Sequence, residues 1–249
     1  MEMAEQQGSG SRPAAPVDWP ALAGRLAALG SIAGDAAHRF NNLCAVIEGT
    51  LELLQADPAG SLTAQRLERL REAATRAQAL AEGMVALARS QSGNTTRFDL
   101  GAWLMAGRDW LQPLVGATTT LALEIPPSQV RVLGDPDSLR VALTALMLNA
   151  SAAVGSGGHV GLKLARRHRE DRAMLILSVI DDGPGMAPAI AARAPEPFFT
   201  TRPPAAGLGL VVAQSYASRW GGHLDLSSSP GRGTVASLWL AESPELTLP

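Results

Sequence analysis

The chain has 249 residues and a formal net charge of -2, and 46% of its residues are hydrophobic while 18% are charged. This length and hydrophobic content suffice for two modest domains, each with its own core. The near-neutral charge gives no general attraction to nucleic acid, and no apolar run approaches the roughly 18 to 20 residues needed to span a bilayer. The only cysteine, Cys44, cannot form an internal disulfide. We therefore expect a cytoplasmic globular protein that binds no nucleic acid and inserts into no membrane.

The N-terminal segment, residues 1–19, is rich in Gly, Ser, Pro and Gln and lacks the basic-then-apolar order of a signal peptide. We expect a flexible tail there. Residues 20–93 are expected to form a hairpin of two helices, because apolar or small residues recur at steps of three and four. In the first helix these residues are Leu22, Leu26, Leu29, Ala33, Ala36, Phe40, Leu43, Ile47 and Leu54. The break at residues 57–60 leads to Ser61, which can cap a second helix. The apolar seam of that helix is Leu67, Leu70, Ala74, Ala77, Ala81 and Met84.

One histidine of this hairpin, His38, lies off the apolar seam of the first helix. An exposed imidazole at such a position can carry a phosphoryl group. The apolar stripe of a single hairpin is narrow and needs a partner, so we expect two copies to join into a dimeric four-helix bundle.

The pattern changes near residue 97, and residues 94–245 are predicted to form a second, α+β domain. Strand-like apolar runs occupy residues 121–125, 160–164 and 174–180, and helix-like runs occupy residues 137–154 and 208–220. This order predicts helices on one face of a mixed sheet. The basic cluster at residues 166–169 is followed at once by two acidic residues, so we interpret it as a solvated loop.

Three segments of this domain have the chemistry of a nucleotide site. Asp181 follows an apolar strand and can accept a hydrogen bond from an adenine amino group, while Gly183 and Gly185 let the backbone pass close to the base. The run 207–210 (GLGL) opens a helix, whose free N–H groups attract phosphate. Asn149 is a polar amide on an otherwise apolar helix. Each feature alone also fits an ordinary turn, a helix start or a core amide; together they offer contacts for a base, a metal and phosphates.

The order of these segments resembles the catalytic core of bacterial sensor histidine kinases, in which a phosphotransfer hairpin precedes a Bergerat-type ATP-binding sandwich. The resemblance covers roughly residues 22–240. Residues 38–42 (HRFNN) resemble the H box of the subgroup with the motif His-Asp-Phe-Asn-Asn. Asn149 matches the N box, residues 181–186 the G1 box, residues 196–201 the F box, and residues 207–210 the G2 box. The run 230–234 before the last strand also fits.

The resemblance implies a kinase that uses ATP and Mg²⁺. His38 would attack the γ-phosphorus, Asp181 would bind adenine, and Asn149 would hold Mg²⁺. The lid would lie between Phe198 and Gly207, and the phosphoryl group would pass to a response-regulator receiver domain. The residues matched to the nucleotide site are Asn149, Asp181, Gly183, Gly185, Phe198, Thr200, Gly207, Leu208, Gly209 and Thr234.

Three positions depart from the family pattern. Arg39 stands where the family has an acidic residue that orients or deprotonates the histidine, and a guanidinium cannot accept a proton. Asp35, three residues before His38, is the candidate substitute base. Ala145 replaces a polar residue of the N box, and the segment 202–206 makes a short lid stiffened by two prolines. Asn42, one turn after His38, is retained and is the candidate residue for dephosphorylating the regulator.

These features leave three functions open. The first is an autophosphorylating histidine kinase core that works on a response regulator and receives its signal from a separate sensor protein or from its tail. The second, suggested by Arg39 and the short lid, is a dimeric histidine phosphotransferase or phosphatase that does not autophosphorylate. The third is a non-enzymatic scaffold that binds ATP only to dock a partner.

Overall fold

The protein is described by a computed structural model that covers residues 19–57, 62–91, 93–169 and 172–243. Residues 1–18 of the predicted tail, the proposed cap Ser61, and the side chains of Leu22 and Leu26 lie outside the described part. Within these ranges, no helix is both long and apolar enough to cross a membrane.

The chain forms seven helices and seven strands within the described ranges. The helices are α1 (Trp19–Ala56), α2 (Thr63–Gln91), α3 (Leu100–Ala106), α4 (Arg108–Val115), α5 (Pro136–Val154), α6 (Pro188–Arg193) and α7 (Gly209–Arg219). The strands are β1 (Thr96–Asp99), β2 (Thr120–Glu124), β3 (Arg131–Gly134), β4 (His159–Arg169), β5 (Arg172–Asp181), β6 (His223–Ser228) and β7 (Thr234–Ala241).

The first two helices form the predicted hairpin. Helix α1 ends at Ala56, directly before the predicted break, because Pro58 has no backbone N–H and restricts the residue before it. Arg66, near the start of α2, donates to the backbone oxygens of Leu53 (3.1 Å) and Asp57 (3.2 Å). These bonds fix the turn end of the hairpin.

The buried side of α2 differs from the predicted seam. Its buried apolar residues are Ala73, Leu80 and Leu87, seven residues apart, whereas Leu67 is 54% exposed. Helix α7 of the second domain packs against α2, so the buried strip of α2 also serves the contact between domains. The large apolar side chains left exposed on the hairpin are Phe40, Val46, Leu51, Leu53, Leu62, Leu67 and Val85. Such a surface is suited to a second hairpin.

The second domain contains a five-stranded mixed sheet with the order β2-β4-β5-β7-β6. Strand β2 runs parallel to β4, and the other neighbours are antiparallel. The two-stranded pair β1-β3 stands beside this sheet. The structure therefore confirms an α+β arrangement after the hairpin, with strands at all three predicted positions.

Alternation along the strands places one face of the sheet against helices α5 and α7. Inward-facing residues are paired across neighbouring strands: Leu162 lies opposite Val179, and Leu177 lies opposite Leu238. The side chain of Leu143, in α5, is fully buried in this core. Helix α5 begins at a cap in which Asp135 accepts a 2.7 Å hydrogen bond from the N–H of Ser138.

The predicted loop at residues 166–169 is instead the end of β4. Pairing with β5 continues from Arg166 opposite Leu175 to Arg169 opposite Arg172, so the ladder extends past the apolar run that was used to predict the strand. The side chains of Arg166 and Arg167 are exposed, in agreement with the solvated character expected of this cluster.

Leucine-to-alanine substitutions on the buried and the exposed face of α5 should lower the free energy of unfolding by unequal amounts. Leu143→Ala removes a fully buried side chain and should lower the free energy of unfolding by about 2–5 kcal/mol. Leu148→Ala, on the same helix, removes a side chain that is 50% exposed and should change it by less than about 0.5 kcal/mol. Chemical denaturation of both variants measures the difference. Equal losses would contradict this packing.

Candidate active site

A cavity of about 570 Å³ lies between helices α5 and α7, the ends of β5 and β7, and helix α2. Several residues predicted from sequence line it: Asn149, Asp181, Thr200, Gly207, Leu208, Gly209 and Thr234. Segments that are distant in sequence therefore meet at one cavity, whereas Gly183, Gly185 and Phe198, also predicted as nucleotide-site residues, do not line it.

Asp181 is placed by the sheet register. It forms the last cross-strand pair with Thr234 and continues the inward face of β5. Its Oδ1 accepts a 3.0 Å hydrogen bond from the N–H of Gly183, and the backbone N–H of Thr234 donates to the carboxylate as well. Burial raises the pKa of Asp181 above its usual value, although these two donors oppose the shift. The carboxylate is thus a fixed acceptor at the closed end of the cavity.

The turn after Asp181 requires glycine at residue 185. Gly185 has a φ of +66°, and a Cβ there would lie 2.0 Å from the backbone oxygen of Ser229. The Ser228 hydroxyl accepts from the N–H of Met186 (2.9 Å) and donates to the oxygen of Gly233 (2.9 Å). These bonds hold the turn against the loop before β7, so the backbone stays close to Asp181.

Asn149 and the start of α7 lie together at the opposite side of the cavity. The side chain of Asn149 is exposed on α5, and a Cβ added to Gly209 would lie 3.0 Å from its Nδ2. Leu208, the cap residue of α7, forms no side-chain cap hydrogen bond. The first N–H groups of α7 therefore remain available to an anion, with an amide oxygen beside them.

The segment between Phe198 and Gly207 forms a loop over the cavity. The N–H of Phe198 donates a 2.9 Å hydrogen bond to the oxygen of Gly207, and we call these two residues the neck of the lid. Gly207 has a φ of +70°, and a Cβ there would lie 2.6 Å from Phe199 O. Phe198 also has a positive φ, 64°, which is unusual for a residue with a side chain. The neck is a tightly constrained turn.

The lid itself is anchored by Arg202, for which sequence reasoning assigned no role. Its Nη1 donates to the backbone oxygen of Asn149 at 3.4 Å, and its N–H donates to Thr200 Oγ1 at 3.1 Å. The charge of Arg202 also lowers the pKa of Asp181, but less than burial raises it. The sequence signal that could have indicated this role is that Arg202 is a single basic residue between polar residues and prolines. The apolar residues Met186, Ile190 and Leu226, also not predicted as site residues, line the cavity too.

The phosphoacceptor candidate His38 is exposed on α1. Asp35, the candidate base, is also exposed. Asn42 lines a second cavity of about 420 Å³, together with Arg39 and Arg76. Ala145, which replaces a polar residue expected in the N box, lines the first cavity. The roles given to Asp35 and Asn42 remain predictions.

Two family models match separate segments of the chain. Residues 28–93 match the His Kinase A (phospho-acceptor) domain. Residues 134–244 match the ATPase domain described as histidine kinase-, DNA gyrase B- and HSP90-like. The first segment covers the hairpin with His38, and the second covers the cavity. The chain therefore contains the two domains of a histidine kinase catalytic core, as the motif order predicts.

Named relatives agree with this assignment. Sensor histidine kinase ZraS of Salmonella typhimurium is 27% identical over 218 residues, which are 87% of this chain and 46% of ZraS. Sensor protein kinase PilS of Pseudomonas aeruginosa is 29% identical over 194 residues, which are 76% of this chain and 36% of PilS. The chain thus spans less than half the length of these relatives. Full-length ShkA, solved in complex with AMPPNP, shares the fold with a TM-score of 0.55 and 20% identity, over 87% of this chain and 46% of that one.

Asp181, which lines the cavity, and the adjacent Asp182, which does not, should titrate in a defined order. Burial raises the pKa of Asp181, whereas hydrogen bonds from His159 lower the pKa of Asp182. As the pH falls, Asp181 should therefore take up its proton first. Carbon-detected NMR of the two carboxyl groups measures this order. In His159→Ala, the pKa of Asp182 should rise while that of Asp181 stays; the reverse order of titration would contradict the geometry.

Proposed function

We propose that this chain catalyses ATP-dependent phosphorylation of its own His38 and then donates the phosphoryl group to an aspartate of a response-regulator receiver domain. The observation that carries the proposal is the presence, in one chain, of an exposed histidine on a phospho-acceptor hairpin and a nucleotide-type cavity packed against the same hairpin. As a kinase that consumes ATP, it would act in the cytoplasm.

The cavity suits ATP in its distribution of polar and apolar groups. Apolar side chains such as Met186 and Leu226 can contact a purine face, while the fixed carboxylate of Asp181 accepts its amino group. The open N-terminus of α7 favours phosphate oxygens. The Asn149 amide oxygen is a ligand type that Mg²⁺ accepts, and phosphates and water commonly supply the rest of its shell. A bound Mg²⁺ would neutralise phosphate charge during transfer.

Transfer to His38 forms an N–P bond to the imidazole and breaks the bond from the γ-phosphorus to the ADP oxygen. The imidazole proton must leave, and Arg39 cannot accept it. We assign that task to Asp35, which lies one turn before His38 on α1. Arg202 tethers the lid through Asn149 and keeps a positive charge at the cavity.

The exposed surface of the hairpin indicates which partners the chain would bind. A second copy would cover the exposed apolar side chains of α1 and α2 and complete a four-helix bundle. A receiver domain would dock around His38, where the exposed carboxamide of Asn42 can orient a water against an aspartyl phosphate. A separate sensor protein would supply the signal.

One observation favours a second candidate function, a phosphotransferase or phosphatase without autokinase activity. Arg39, which occupies the position of the family's acidic residue, stacks on the ring of Phe198 at the neck. A guanidinium cannot accept the imidazole proton, and under this alternative His38 accepts phosphate only from a phosphorylated receiver. The scaffold alternative has no such support from the site.

Substitution of His38 tests the acceptor. Incubation with radiolabelled ATP and Mg²⁺ should give an acid-labile, base-stable label on the wild-type chain and none on His38→Gln. Asn41→Ala, which alters another exposed residue of the same helix, should keep the label. If wild-type protein takes up label only from a phosphorylated receiver, the phosphotransferase alternative holds; label that persists in His38→Gln would contradict the assignment.

Substitution of Asp181 tests the nucleotide site. Asp181→Asn should weaken ATP binding by about tenfold to a hundredfold, because a hydrogen bond to a charged acceptor contributes about 1.5–3 kcal/mol. The control, Asp182→Asn, changes an exposed carboxylate that pairs with His159 and should bind ATP normally. Calorimetric titration measures both. Burial raises the pKa of Asp181, so its ionisation opposes folding at neutral pH; Asp181→Asn should therefore not lower the melting temperature.

A further inference from the structure

Arg39 connects the phosphoacceptor helix to the lid. Its guanidinium carbon lies 4.7 Å from the ring centroid of Phe198, a distance at which a cation is attracted to an aromatic face. Arg39 is adjacent to His38 in sequence, and Phe198 is one of the two residues of the neck. The contact therefore joins the position beside the phosphoacceptor to the closing point of the lid.

The neck is buried where it meets the hairpin. Phe198 is only 6% exposed and belongs to a small apolar cluster with Ala36 of α1, Leu80 of α2 and Leu208. The approach is close, since a Cβ on Gly83 of α2 would lie 2.7 Å from Leu208 Cδ1. This cluster is separate from the main core of the second domain. This cluster is an apolar contact between the hairpin and the second domain.

The lid also forms a wall between two spaces. Thr200, Ala205 and Ala206 line both the nucleotide cavity and the second cavity beside α1. In this arrangement the lid therefore lies between the nucleotide cavity and the Arg39 side of α1.

Helix geometry places His38 beside the docked face and not under it. Successive residues of an α-helix are about 100° apart, so His38 is turned about 100° away from Arg39. The neck lies on the Arg39 face, and His38 itself stays exposed. In this arrangement His38 is open to an external receiver, while the lid separates α1 from the nucleotide cavity.

We propose that Arg39 is a positioning residue that holds the neck against α1 in this docked arrangement, and that it thereby slows autophosphorylation while leaving His38 accessible to a receiver. Only the expected effect on the rate of autophosphorylation rests on the proposed function. The docking contact itself involves no nucleotide. Arg39 thus does more than replace the family's acidic residue, because it also favours the docked arrangement of the two domains.

The contact is strong enough to affect a balance between two arrangements. Because Arg39 is exposed, its cation–π contact should shift such an equilibrium by roughly twofold to fivefold. Lysine keeps the charge but lacks the planar guanidinium that stacks on a ring, so it should keep only part of the effect. Glutamine keeps polarity and removes the charge.

Hydrogen–deuterium exchange of the nucleotide-free full chain tests the docking step. Arg39→Gln should speed exchange of peptides covering residues 198–208, and Arg39→Lys should lie between it and wild type. The matched control is Arg76→Gln, because Arg76 lines the same second cavity but pairs with Glu72 at 3.5 Å. Phe198→Leu, which removes the ring, should speed exchange as Arg39→Gln does. Unchanged exchange in Arg39→Gln, or an equal effect of Arg76→Gln, would overturn the proposal.

Autophosphorylation at saturating ATP tests the consequence. Arg39→Gln should raise the rate by about twofold to fivefold at unchanged ATP affinity, measured separately by calorimetry. If the autophosphorylation rate rises in Arg39→Asp but not in Arg39→Gln, the missing base explains the slow rate. If the rate falls in Arg39→Gln, the contact promotes autophosphorylation. Either result overturns the proposal. If no variant is labelled, the proposed kinase function fails, and the exchange data still decide whether Arg39 docks the neck.

Discussion

The hydrogen bond between the N–H of Phe198 and the oxygen of Gly207 is the constraint on which the functional arrangement depends. It closes the lid at its base and turns the Phe198 ring out of the nucleotide domain, onto α1 and α2. It also places Leu208 and Gly209 at the start of α7, beside the side chain of Asn149. One turn thus belongs both to the nucleotide cavity and to the contact between domains, so a change on either side can reach the other.

The cavity in turn depends on the register of the sheet. Because side chains alternate between faces, the inward row that fills the core through Leu177 and Val179 ends at Asp181. The carboxylate is buried for the same reason that the leucines are. Its two backbone donors come from Gly183, in the turn after β5, and from Thr234, the first residue of β7. A shift of one residue in this pairing would put Asp181 on the opposite face.

Local patterns predicted most of the fold and the segments that meet at the cavity, whereas features set by long-range packing escaped them. Several short motifs, each weak alone, were enough in their order along the chain to predict that Asp181, Asn149 and the GLGL run share one cavity; their roles in binding a nucleotide remain predictions. The residues of α2 that are buried within one chain, Ala73, Leu80 and Leu87, lie beside the predicted bundle seam, since a single-helix pattern does not reveal which side α7 covers. The role of Arg202 was missed because its partner, the oxygen of Asn149, is 53 residues away. The stacking of Arg39 on Phe198 likewise has no sequence signature.

The neck is the route by which the nucleotide and the hairpin affect one another. The most direct measurement is hydrogen–deuterium exchange of the full wild-type chain with and without Mg²⁺ and a non-hydrolysable ATP analogue. The nucleotide should change exchange both in the lid, residues 198–208, and on the docked face of α1, residues 32–46. Changes confined to the second domain, with the hairpin unaffected at nucleotide saturation, would contradict it.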